Sequence, residues 1–532
     1  MTWHAFSFLL GRTAVLFAVA GLFFVAVMLP YRGWHLARGP AQWVLSHPSL
    51  AGLRRRLPGL FAFLKRHFRD EGRSWLRLLL GAAFFAFGVR WFVELLHGVL
   101  TDSPLVVADH RLHNTVALFH SPALHRFYSA ITDLAGPVLL PALVAGLAAV
   151  LWIAKRRREA FFLAVALGGA ALFAELLKDF VHRPRPEEVQ SFQSGFSFPS
   201  GHTLAATAVF GFVVYLLMRD EPRRWWHYVL AIPLLVLIGL VPISRIYLGV
   251  HWPYDTVASL ALGLSWLSIL ITLYKFPPLE RHFPLSTQAM RRWAVPALAL
   301  VTAAAAAGAV VLGWRTPLRR ADAPRAALHQ VPQALVLHGL PAELEKNSQD
   351  LVGGAMEPIA FIFLGSDLGV IQTFERAGWF LADNPTVRGL GRELLAVAVN
   401  RPDPHGPATP AYYSNRPQDL TFEKPGDASG SIRHRHHIRI WRTQVCIAPG
   451  CEEVWVATSS YDAGIKFVAK PYLLTHRIDP EIDRERATIE HDLLSAGAKE
   501  LGRVVVTGPT QGKNAGGDSF RTDGEALVIE LP

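Results

Sequence analysis

Long apolar runs separated by short basic or polar connections dominate the first part of the chain. A run over residues 6–29 comes first, and seven more follow, at 76–96, 130–153, 160–180, 203–218, 228–243, 256–274 and 293–312. A helix needs about 20 apolar residues to cross the hydrocarbon core of a bilayer, and only helices or closed barrels satisfy their backbone there. Because 51% of the residues are hydrophobic and only 18% are charged, the sequence predicts a multi-pass helical membrane domain.

The segment before residue 76 divides into two predicted parts. Residues 1–30 are predicted to form a transmembrane helix. A cleaved signal peptide is the competing interpretation, but the apolar run is long and no convincing small-residue cleavage site precedes Pro30. Residues 31–75 are basic and contain tryptophan and proline, which is typical of either an amphipathic segment on the cytoplasmic membrane surface or a solvated linker.

The basic residues indicate how the helices are oriented. The net charge of +11 is concentrated between apolar runs, which is typical of membrane flanks and argues against a nucleic-acid partner. The basic connections fall on one side of the predicted bundle and should be cytoplasmic; they are 31–73, 155–158, 219–224 and 275–292. The other connections, including 101–129, should face the opposite side, which in a bacterium is the periplasm.

The residues from 178 to 255 contain a set of side chains suited to a tetrahedral oxyanion. Lys178, Arg185 and Arg245 supply positive charge, and arginine can bind phosphate oxygens bidentately. A helix is predicted to begin at Ser200 and Gly201, where backbone N–H groups favour anions. This combination predicts a phosphate-binding site.

Two histidines and a carboxylate complete the predicted site. His251 and Asp255 are four residues apart, and Pro253 suits the first turn of a helix, so both side chains should lie on one helical face. Asp255 would fix the tautomer of His251, which could then attack phosphorus while His202 protonates the departing oxygen. Each motif alone is usually a membrane anchor, a helix cap or a surface pair, but their occurrence in this order favours a catalytic site.

Taken in chain order, these residues form a pattern that resembles the motifs of the type-2 phosphatidic acid phosphatase family. That family shares its site with glucose-6-phosphatase and the vanadium haloperoxidases. The pattern is K-x6-RP from Lys178, PSGH ending at His202, and SR-x5-H-x3-D ending at Asp255. The resemblance covers roughly residues 75–275. It implies a reaction without metal or other cofactor, a phosphohistidine at His251 supported by Asp255, and His202 as the acid. It also implies that the phosphate is held by Lys178, Arg185, Ser200, Gly201 and Arg245.

After about residue 321 the long apolar runs stop and short alternating patterns begin, which predicts a soluble α+β domain. Strands are predicted at 359–364, 438–441, 453–457 and 526–530, and helices at 367–380 and 479–501. Residues 402–430 are rich in proline, glycine and aspartate and are predicted to form a loop.

Two cysteines bracket a turn sequence between two predicted strands of this domain. Cys446 and Cys451 could face each other across a hairpin and form a disulfide, which only an oxidising compartment would preserve. The alternative is a pair of facing thiols without a bond. The disulfide interpretation agrees with a periplasmic C-terminal domain.

The same domain contains a histidine- and arginine-rich strand over residues 433–441. Metal binding is one interpretation, but neighbouring residues of a strand point to opposite faces, so a solvated or anion-binding strand is favoured. With 475–486, this part resembles the LssY-type C-terminal domain of some bacterial membrane phosphatases, over most of residues 330–505. A second polar site is predicted from His436, His437, Arg439, His476, Asp479 and Asp483.

The predicted architecture is an all-α polytopic membrane helix bundle followed by a soluble α+β domain. The bundle has a six-helix phosphatase core at 76–275 and an extra helix on each side, at 1–30 and 293–313; the soluble domain occupies 320–532. The predicted protein lies in the bacterial inner membrane, with its active site and C-terminal domain in the periplasm.

The predicted function is hydrolysis of a membrane lipid phosphate. Candidate substrates from the family resemblance are undecaprenyl diphosphate, phosphatidate, phosphatidylglycerol phosphate and lipid A phosphate. A lipid phosphotransferase using the same site is an alternative. A vanadate-dependent haloperoxidase is another, although a transmembrane core argues against it. The C-terminal domain could serve as a binding module for an envelope polysaccharide or a partner protein.

Overall fold

The computed structural model describes most of the chain after residue 71. The described residues are 72–186, 195–219, 225–275, 293–316, 328–339, 341, 344–383, 392, 405–406, 408–426, 434–468 and 473–532. The predicted helix at 1–30 and nearly all of the basic segment 31–75 lie outside them. The chain forms two compact units, of which one contains Ser121–Arg320 and the helix before Thr101, and the other contains Asp102–His120 and Ala321–Pro532.

The helices of the described chain fall mainly before residue 316. In chain order they are α1 (Gly72–Leu100), α2 (Pro104–Ala117), α3 (Pro122–Leu134), α4 (Leu139–Ile153), α5 (Arg157–Val181), α6 (Gly201–Met218), α7 (Trp225–Tyr247), α8 (Pro253–Tyr274), α9 (Ala294–Arg315), α10 (Gln333–His338), α11 (Asp367–Arg376) and α12 (Ile482–Ser495).

Six of the described helices are long and apolar enough to cross a membrane, namely α1, α5, α6, α7, α8 and α9. Helices α3 and α4 are also long and apolar enough to cross a membrane when they are taken together, with a bend of 45° between them. The predicted membrane helices from 76 to 312 are therefore confirmed as apolar helices. The predicted span at 130–153 is not one continuous helix: α3 ends at Leu134 and α4 begins at Leu139, and the chain between them contains Gly136-Pro137, where a proline interrupts helical hydrogen bonding.

Helices α6 and α8 form the centre of the membrane unit. In the most apolar 18-residue stretch of each helix, 72% of the residues are buried in α6 and 67% in α8, compared with 11% in α9. Small residues allow neighbouring helices to approach closely: a Cβ atom on Gly211 of α6 would lie 2.5 Å from Leu267 of α8. The active-site candidates His202 and Asp255 stand at the starts of these two helices, so the most enclosed part of the bundle positions them.

The C-terminal unit is built around a nine-stranded sheet. The strands of the described chain are β1 (His329–Val331), β2 (Asn347–Gln349), β3 (Ala355–Pro358), β4 (Phe361–Leu364), β5 (Phe380–Leu381), β6 (Tyr412–Tyr413), β7 (Arg416–Pro417), β8 (Leu420–Pro425), β9 (His434–Ile447), β10 (Glu452–Val468), β11 (Leu473–Ile478), β12 (Lys499–Val505), β13 (Thr510–Lys513), β14 (Ser519–Thr522) and β15 (Glu525–Glu530). The main order is β12-β15-β4-β10-β9-β8-β5, with β1 beside β9 and β11 beside β10.

Apolar side chains cover both faces of this sheet. On one face, Phe363, Phe422 and Ile438 pack with Phe374 of α11 and Ile489 of α12. On the other, a second cluster surrounds residues such as Trp441 and Val456. A smaller sheet has the order β3-β2-β6-β7, and β13 pairs with β14. The predicted α+β class is confirmed.

Two secondary-structure predictions for this unit are wrong in detail. The predicted loop 402–430 contains β6, β7 and β8, of which the first two have only two residues each and leave no periodic signal in the sequence. The predicted helix 479–501 ends at Ser495, because Gly497 has a positive φ of 98° that favours glycine and precedes β12.

Helix α2 belongs to the C-terminal unit, although the sequence predicted residues 101–129 only as a connection within the membrane domain. The buried Arg111 donates hydrogen bonds to the Asp350 carbonyl, to the Gln349 side chain and, over 3.0 Å, to Asn415 Oδ1. The hydroxyls of Thr115 and Tyr412 are 2.8 Å apart. These polar contacts, with partners more than two hundred residues away, attach α2 to the rest of its unit.

Candidate active site

The predicted site residues come from four places in the membrane unit. They lie at the end of α5 and in the segment after it, at the start of α6, at the end of α7, and in the connection to α8 together with the first turn of α8. The contacts among these segments bring His251, Asp255 and Arg185 together.

His251 stands at the centre of the contacts. It is 2% exposed; its Nδ1 atom lies 3.4 Å from Asp255 Oδ2, and its Nε2 atom lies 3.4 Å from Arg185 Nη1. The expected pairing with Asp255 is present, but by a different geometry from the one predicted. Helix α8 begins at Pro253, so His251 precedes the helix and the two residues do not share a helical face.

Asp255 has two structural roles besides facing His251. Its Oδ2 atom accepts a hydrogen bond from the backbone N–H of Trp252 over 3.0 Å, which caps the start of α8. Its Oδ1 atom accepts a hydrogen bond from Arg183 Nη1 over 2.7 Å. The carboxylate is therefore fixed from both sides, which orients the oxygen that faces His251.

Arg183 is a residue that the sequence prediction missed. It is 8% exposed, and its guanidinium also lies over the Trp252 ring at 5.6 Å. Arg183-Pro184 immediately precedes Arg185-Pro186, and only the second pair fits the spacing from Lys178. The available signal was the repeated Arg-Pro dipeptide, which gives two arginines where the motif requires one.

Arg185 and Arg245 are each anchored through part of their guanidinium groups. Arg185 donates to the Val250 carbonyl over 2.8 Å and to the Gly195 carbonyl over 3.2 Å. Arg245 is 4% exposed and donates to Thr132 Oγ1 over 2.9 Å, while its Nε finds no acceptor within the described residues. Buried arginines need acceptors for their N–H groups, and a phosphate oxygen is a suitable one.

At the start of α6, one backbone N–H that was predicted to bind phosphate has another partner. The backbone N–H of Ser200 donates to Ser259 Oγ over 2.7 Å, so this N–H does not point to a bound phosphate as expected. The Ser200 hydroxyl accepts a hydrogen bond from Thr203 over 3.2 Å. Gly201 and His202 follow as the first residues of the helix. The sequence could not reveal this because Ser259 lies on another helix.

The remaining cation of the motif lies at the edge of the site. Lys178 Nζ is 2.7 Å from Glu175 Oε1, and the Glu175 side chain is 69% exposed. The charges of Lys178, Arg185 and Arg245 all act on the His202 imidazole, as does His251. The predicted cations and both histidines therefore share one electrostatic environment.

Burial also sets the protonation of the candidate nucleophile. The pKa of His251 is lowered to about 4, chiefly because removal from water disfavours the charged imidazolium; Asp255 opposes this shift and the positive charge of Arg245 adds to it. A neutral His251 retains a lone pair at neutral pH. Among the described residues, no group of three or more histidine, cysteine or acidic side chains is placed to hold a metal ion.

The second polar site predicted in the C-terminal unit does not assemble as expected. His436 and His437 point to opposite faces of β9: His436 Nδ1 lies 2.7 Å from Glu485 Oε2, whereas His437 contacts Arg439 and Ser460. Asp483 instead accepts hydrogen bonds from Thr522 and from the Asp523 N–H.

Two further residues of that prediction give no support to a single site. Asp479 accepts a hydrogen bond from the Glu481 N–H. The His476 side chain lies outside the described part of the structure. His436 and His437 are separated because successive side chains of a strand point to opposite faces of the sheet. The predicted cysteine pairing is present as a disulfide between Cys446 and Cys451, with a Cα–Cα distance of 4.8 Å.

Two family models match this chain. Residues 159–278 match the PAP2 superfamily, and residues 341–526 match the LssY C-terminus. The first match includes every predicted residue of the membrane site, and the second includes most of the C-terminal sheet.

Similar proteins agree with the first match. Phosphatidylglycerophosphatase B of Bacillus subtilis is 29% identical over 178 residues, which cover 32% of this chain and 86% of that protein. The undecaprenyl-diphosphatase of Sulfolobus acidocaldarius is 34% identical, with 23% of this chain and 58% of that protein covered. The lipid A 1-phosphatase of Rhizobium johnstonii is 31% identical, with 21% and 45% covered. The chain thus spans about half the length of the last two relatives.

A solved structure also matches part of this chain. It is the crystal structure of the first transmembrane PAP2 type phosphatidylglycerolphosphate phosphatase from Bacillus subtilis, with 28% sequence identity and a TM-score of 0.32. The match covers 36% of this chain and 94% of that chain.

Proposed function

We propose that this chain, which joins a PAP2 superfamily domain to an LssY C-terminal domain, hydrolyses a membrane lipid phosphate through a phosphohistidine at His251. The observation that carries the proposal is the position of the His251 imidazole between Asp255 and Arg185, at 3.4 Å from each. One ring nitrogen faces an orienting carboxylate, and the other faces a cation that can hold the phosphate to be attacked.

The first step of the proposed mechanism transfers the phosphoryl group to the enzyme. The lone pair of His251 Nε2 attacks phosphorus in line, the bond to the lipid oxygen breaks, and His202 donates a proton to that oxygen. Lys178, Arg185 and Arg245 stabilise the negative charge on the non-bridging oxygens. Asp255, fixed by Arg183, stabilises the positive charge that develops on the imidazole.

The second step regenerates the enzyme. Water attacks the phosphohistidine, His202 accepts the proton, and inorganic phosphate leaves. All the charge stabilisation in this scheme comes from side chains of the protein, as the family resemblance implies for a metal-independent reaction.

The proposed substrate is the phosphate head group of a lipid whose tails remain in the bilayer. Undecaprenyl diphosphate, phosphatidate, phosphatidylglycerol phosphate and lipid A phosphate are the candidates, and similar proteins are described as acting on several of these classes. We further propose the bacterial inner membrane as the location, with the site and the C-terminal domain on the periplasmic side. The Cys446–Cys451 disulfide supports this location because disulfides persist in oxidising compartments.

The test is phosphate release by the purified protein from this panel of lipids in EDTA, compared with His251→Ala. His227→Ala is the control, because His227 lies at the opposite end of α7 from Arg245. We expect EDTA-resistant release by the wild type and the control, and a loss of at least about a thousandfold in His251→Ala, as expected for a removed nucleophile.

Three results would contradict parts of the proposal. Activity abolished by EDTA would contradict the metal-independent mechanism. Undiminished activity in a folded His251→Ala protein would exclude His251 as the nucleophile. Release of phosphate only when a lipid acceptor is present would identify a phosphotransferase that uses the same site.

A further inference from the structure

Polar side chains gather on one face of the C-terminal sheet, where β8, β9 and β10 run side by side. His437 of β9 pairs across the strands with Ser460 of β10 and with Glu423 of β8, and Arg435 pairs with Asp462. These five residues are each less than 10% exposed, while Arg439, two residues further along β9, is half-buried. We call these six residues the β9 polar cluster.

One half of the cluster is a closed ion network. Arg435 donates to Glu423 Oε2 over 2.6 Å and to Asp462 Oδ2 over 2.9 Å. The other oxygen of Asp462 lies 3.2 Å from His437 Nδ1. Because the carboxylate is held by Arg435, its negative charge stays beside Nδ1 and favours the tautomer with the proton there, which leaves Nε2 as an acceptor.

The other half of the cluster has donors without a counter-charge. Arg439 Nη1 and Ser460 Oγ each lie 2.9 Å from His437 Nε2. Within the described residues, no carboxylate pairs with Arg439, and its buried Nε has no hydrogen-bond acceptor. A partly buried cation with an unsatisfied N–H is costly, and a bound anion would satisfy it.

The cluster repeats the chemistry of the membrane site. In both places the Nδ1 of a histidine faces an aspartate, at 3.4 Å for His251 and 3.2 Å for His437. In both, the other oxygen of that aspartate is held by a buried arginine, and a second arginine lies at Nε2 of the histidine. This arrangement suits a tetrahedral oxyanion, to which arginine and a hydroxyl can donate.

We propose that Arg439 and Ser460 form a second oxyanion site, which binds a phosphate group in the C-terminal domain, and that His437 holds both of them through its Nε2 atom. Arg435, Glu423 and Asp462 position His437. The ligand approaches at Arg439, the most exposed member of the cluster. The phosphate group comes either from inorganic phosphate or from a lipid head group, and the experiment below separates these two sources.

The first measurement is equilibrium dialysis of the full chain in detergent against radiolabelled orthophosphate. Every protein carries His251→Ala, so that lipid ligands are not turned over and binding is read independently of catalysis. We expect Arg439→Gln to lose one phosphate site, or to bind at that site at least about tenfold more weakly, as for a lost charged hydrogen bond. Arg442→Gln is the matched control, because Arg442 lies on the same strand but pairs with Glu453.

Two further variants distinguish a loss of phosphate binding from a loss of folding. Ser460→Ala removes one oxygen and is expected to weaken the same site severalfold, and Arg439→Lys should restore part of the binding because it keeps the charge. Equal stoichiometry and affinity in the parent, Arg439→Gln and Ser460→Ala proteins would overturn the proposal, whatever the catalytic activity of the membrane site.

Competition by a water-soluble, short-chain phosphatidate identifies the source of the phosphate group. Displacement of orthophosphate from the Arg439-dependent site supports a lipid head group. Retention of orthophosphate in the presence of the short-chain lipid supports a site for inorganic phosphate.

Discussion

His251 depends on burial for its proposed role as much as on its partner Asp255. Its pKa of about 4 keeps the imidazole neutral over the whole range in which an exposed histidine, with a pKa near 6.5, becomes protonated. Since only the neutral ring can attack phosphorus, activity should fall as the pH decreases through the pKa of His251 in the free enzyme.

We expect the acid limb of the pH profile of kcat/KM to lie close to pH 4. A profile from pH 3.5 to 8 in detergent, with folding checked at each pH, measures it, and a limb between pH 6 and 7 would contradict the assignment.

Arg183 should matter because it is the arginine that holds Asp255 in place. Replacement by alanine leaves a buried carboxylate without its cation, and removal of one partner of such a pair costs about 3–5 kcal/mol of stability. We expect Arg183→Ala to lower both the thermal unfolding temperature and kcat, with a smaller change in KM, since Arg183 contacts Asp255 and not the proposed phosphate.

The comparison variants for Arg183 separate orientation from folding. Arg183→Lys keeps the charge and should recover part of kcat, whereas Arg157→Ala should change neither quantity because Arg157 is exposed and lies over Trp152. A folded Arg183→Ala protein with the wild-type kcat would show that the Arg183 contact does not orient the catalytic pair.

The sequence predicted the residue types of this site better than their geometry. The motif spacing identified His251, Asp255 and Arg185, which the structure places in contact. It missed Arg183, because a spacing rule selects one arginine of two neighbouring ones. It also misassigned the Ser200 N–H, whose acceptor Ser259 is 59 residues away. Partners that are distant in sequence leave no local pattern.

The packing of α1 against α8 depends on one small residue. A Cβ atom on Gly88 would overlap Ser265 Oγ and lie 2.7 Å from the Ala261 carbonyl of α8, a backbone atom that cannot move away easily. We therefore expect Gly88→Val to lower the thermal unfolding temperature in detergent by several degrees, as overpacking costs about 1–3 kcal/mol. Gly168→Val in α5 is the matched control, because a Cβ atom there meets nothing within 4 Å. Equal effects of the two variants would contradict close packing of α1 and α8.

Whether an element could be predicted depended on where its stability comes from. The apolar helices were predictable because their length and composition are set by the bilayer. Helix α2 was missed because its hydrogen-bond partners, such as Asn415 and Tyr412, are 304 and 297 residues away from the residues that contact them. The strands β6 and β7 were missed because two residues cannot show a period.

The connectivity of the whole chain constrains its orientation. If α1, the α3–α4 pair, α5, α6, α7, α8 and α9 each cross the membrane once, every connection that carries a predicted catalytic residue emerges on one side. With these seven crossings, an odd number, the C-terminal domain would follow on that side too, as we propose. Helix α2 follows α1 directly and belongs to the same compact unit as the C-terminal domain, so the two assignments agree. The disulfide provides independent support that this side is oxidising.

Labelling of single cysteines with a membrane-impermeant maleimide, in cells with a permeabilised outer membrane, tests this orientation directly. The wild type should remain unlabelled, because Cys446 and Cys451 are bonded to each other. The variants Asp102→Cys and Lys499→Cys, at exposed positions, should be labelled. Lys155→Cys, at an exposed position in the basic connection between α4 and α5, should react only after cell lysis.

Labelling of Lys155→Cys in unlysed cells, with no labelling of the other two variants, would invert the assignment and place both the catalytic connections and the C-terminal domain in the cytoplasm. Labelling of the wild type would show instead that the thiols are free, and would remove the disulfide as support for a periplasmic domain.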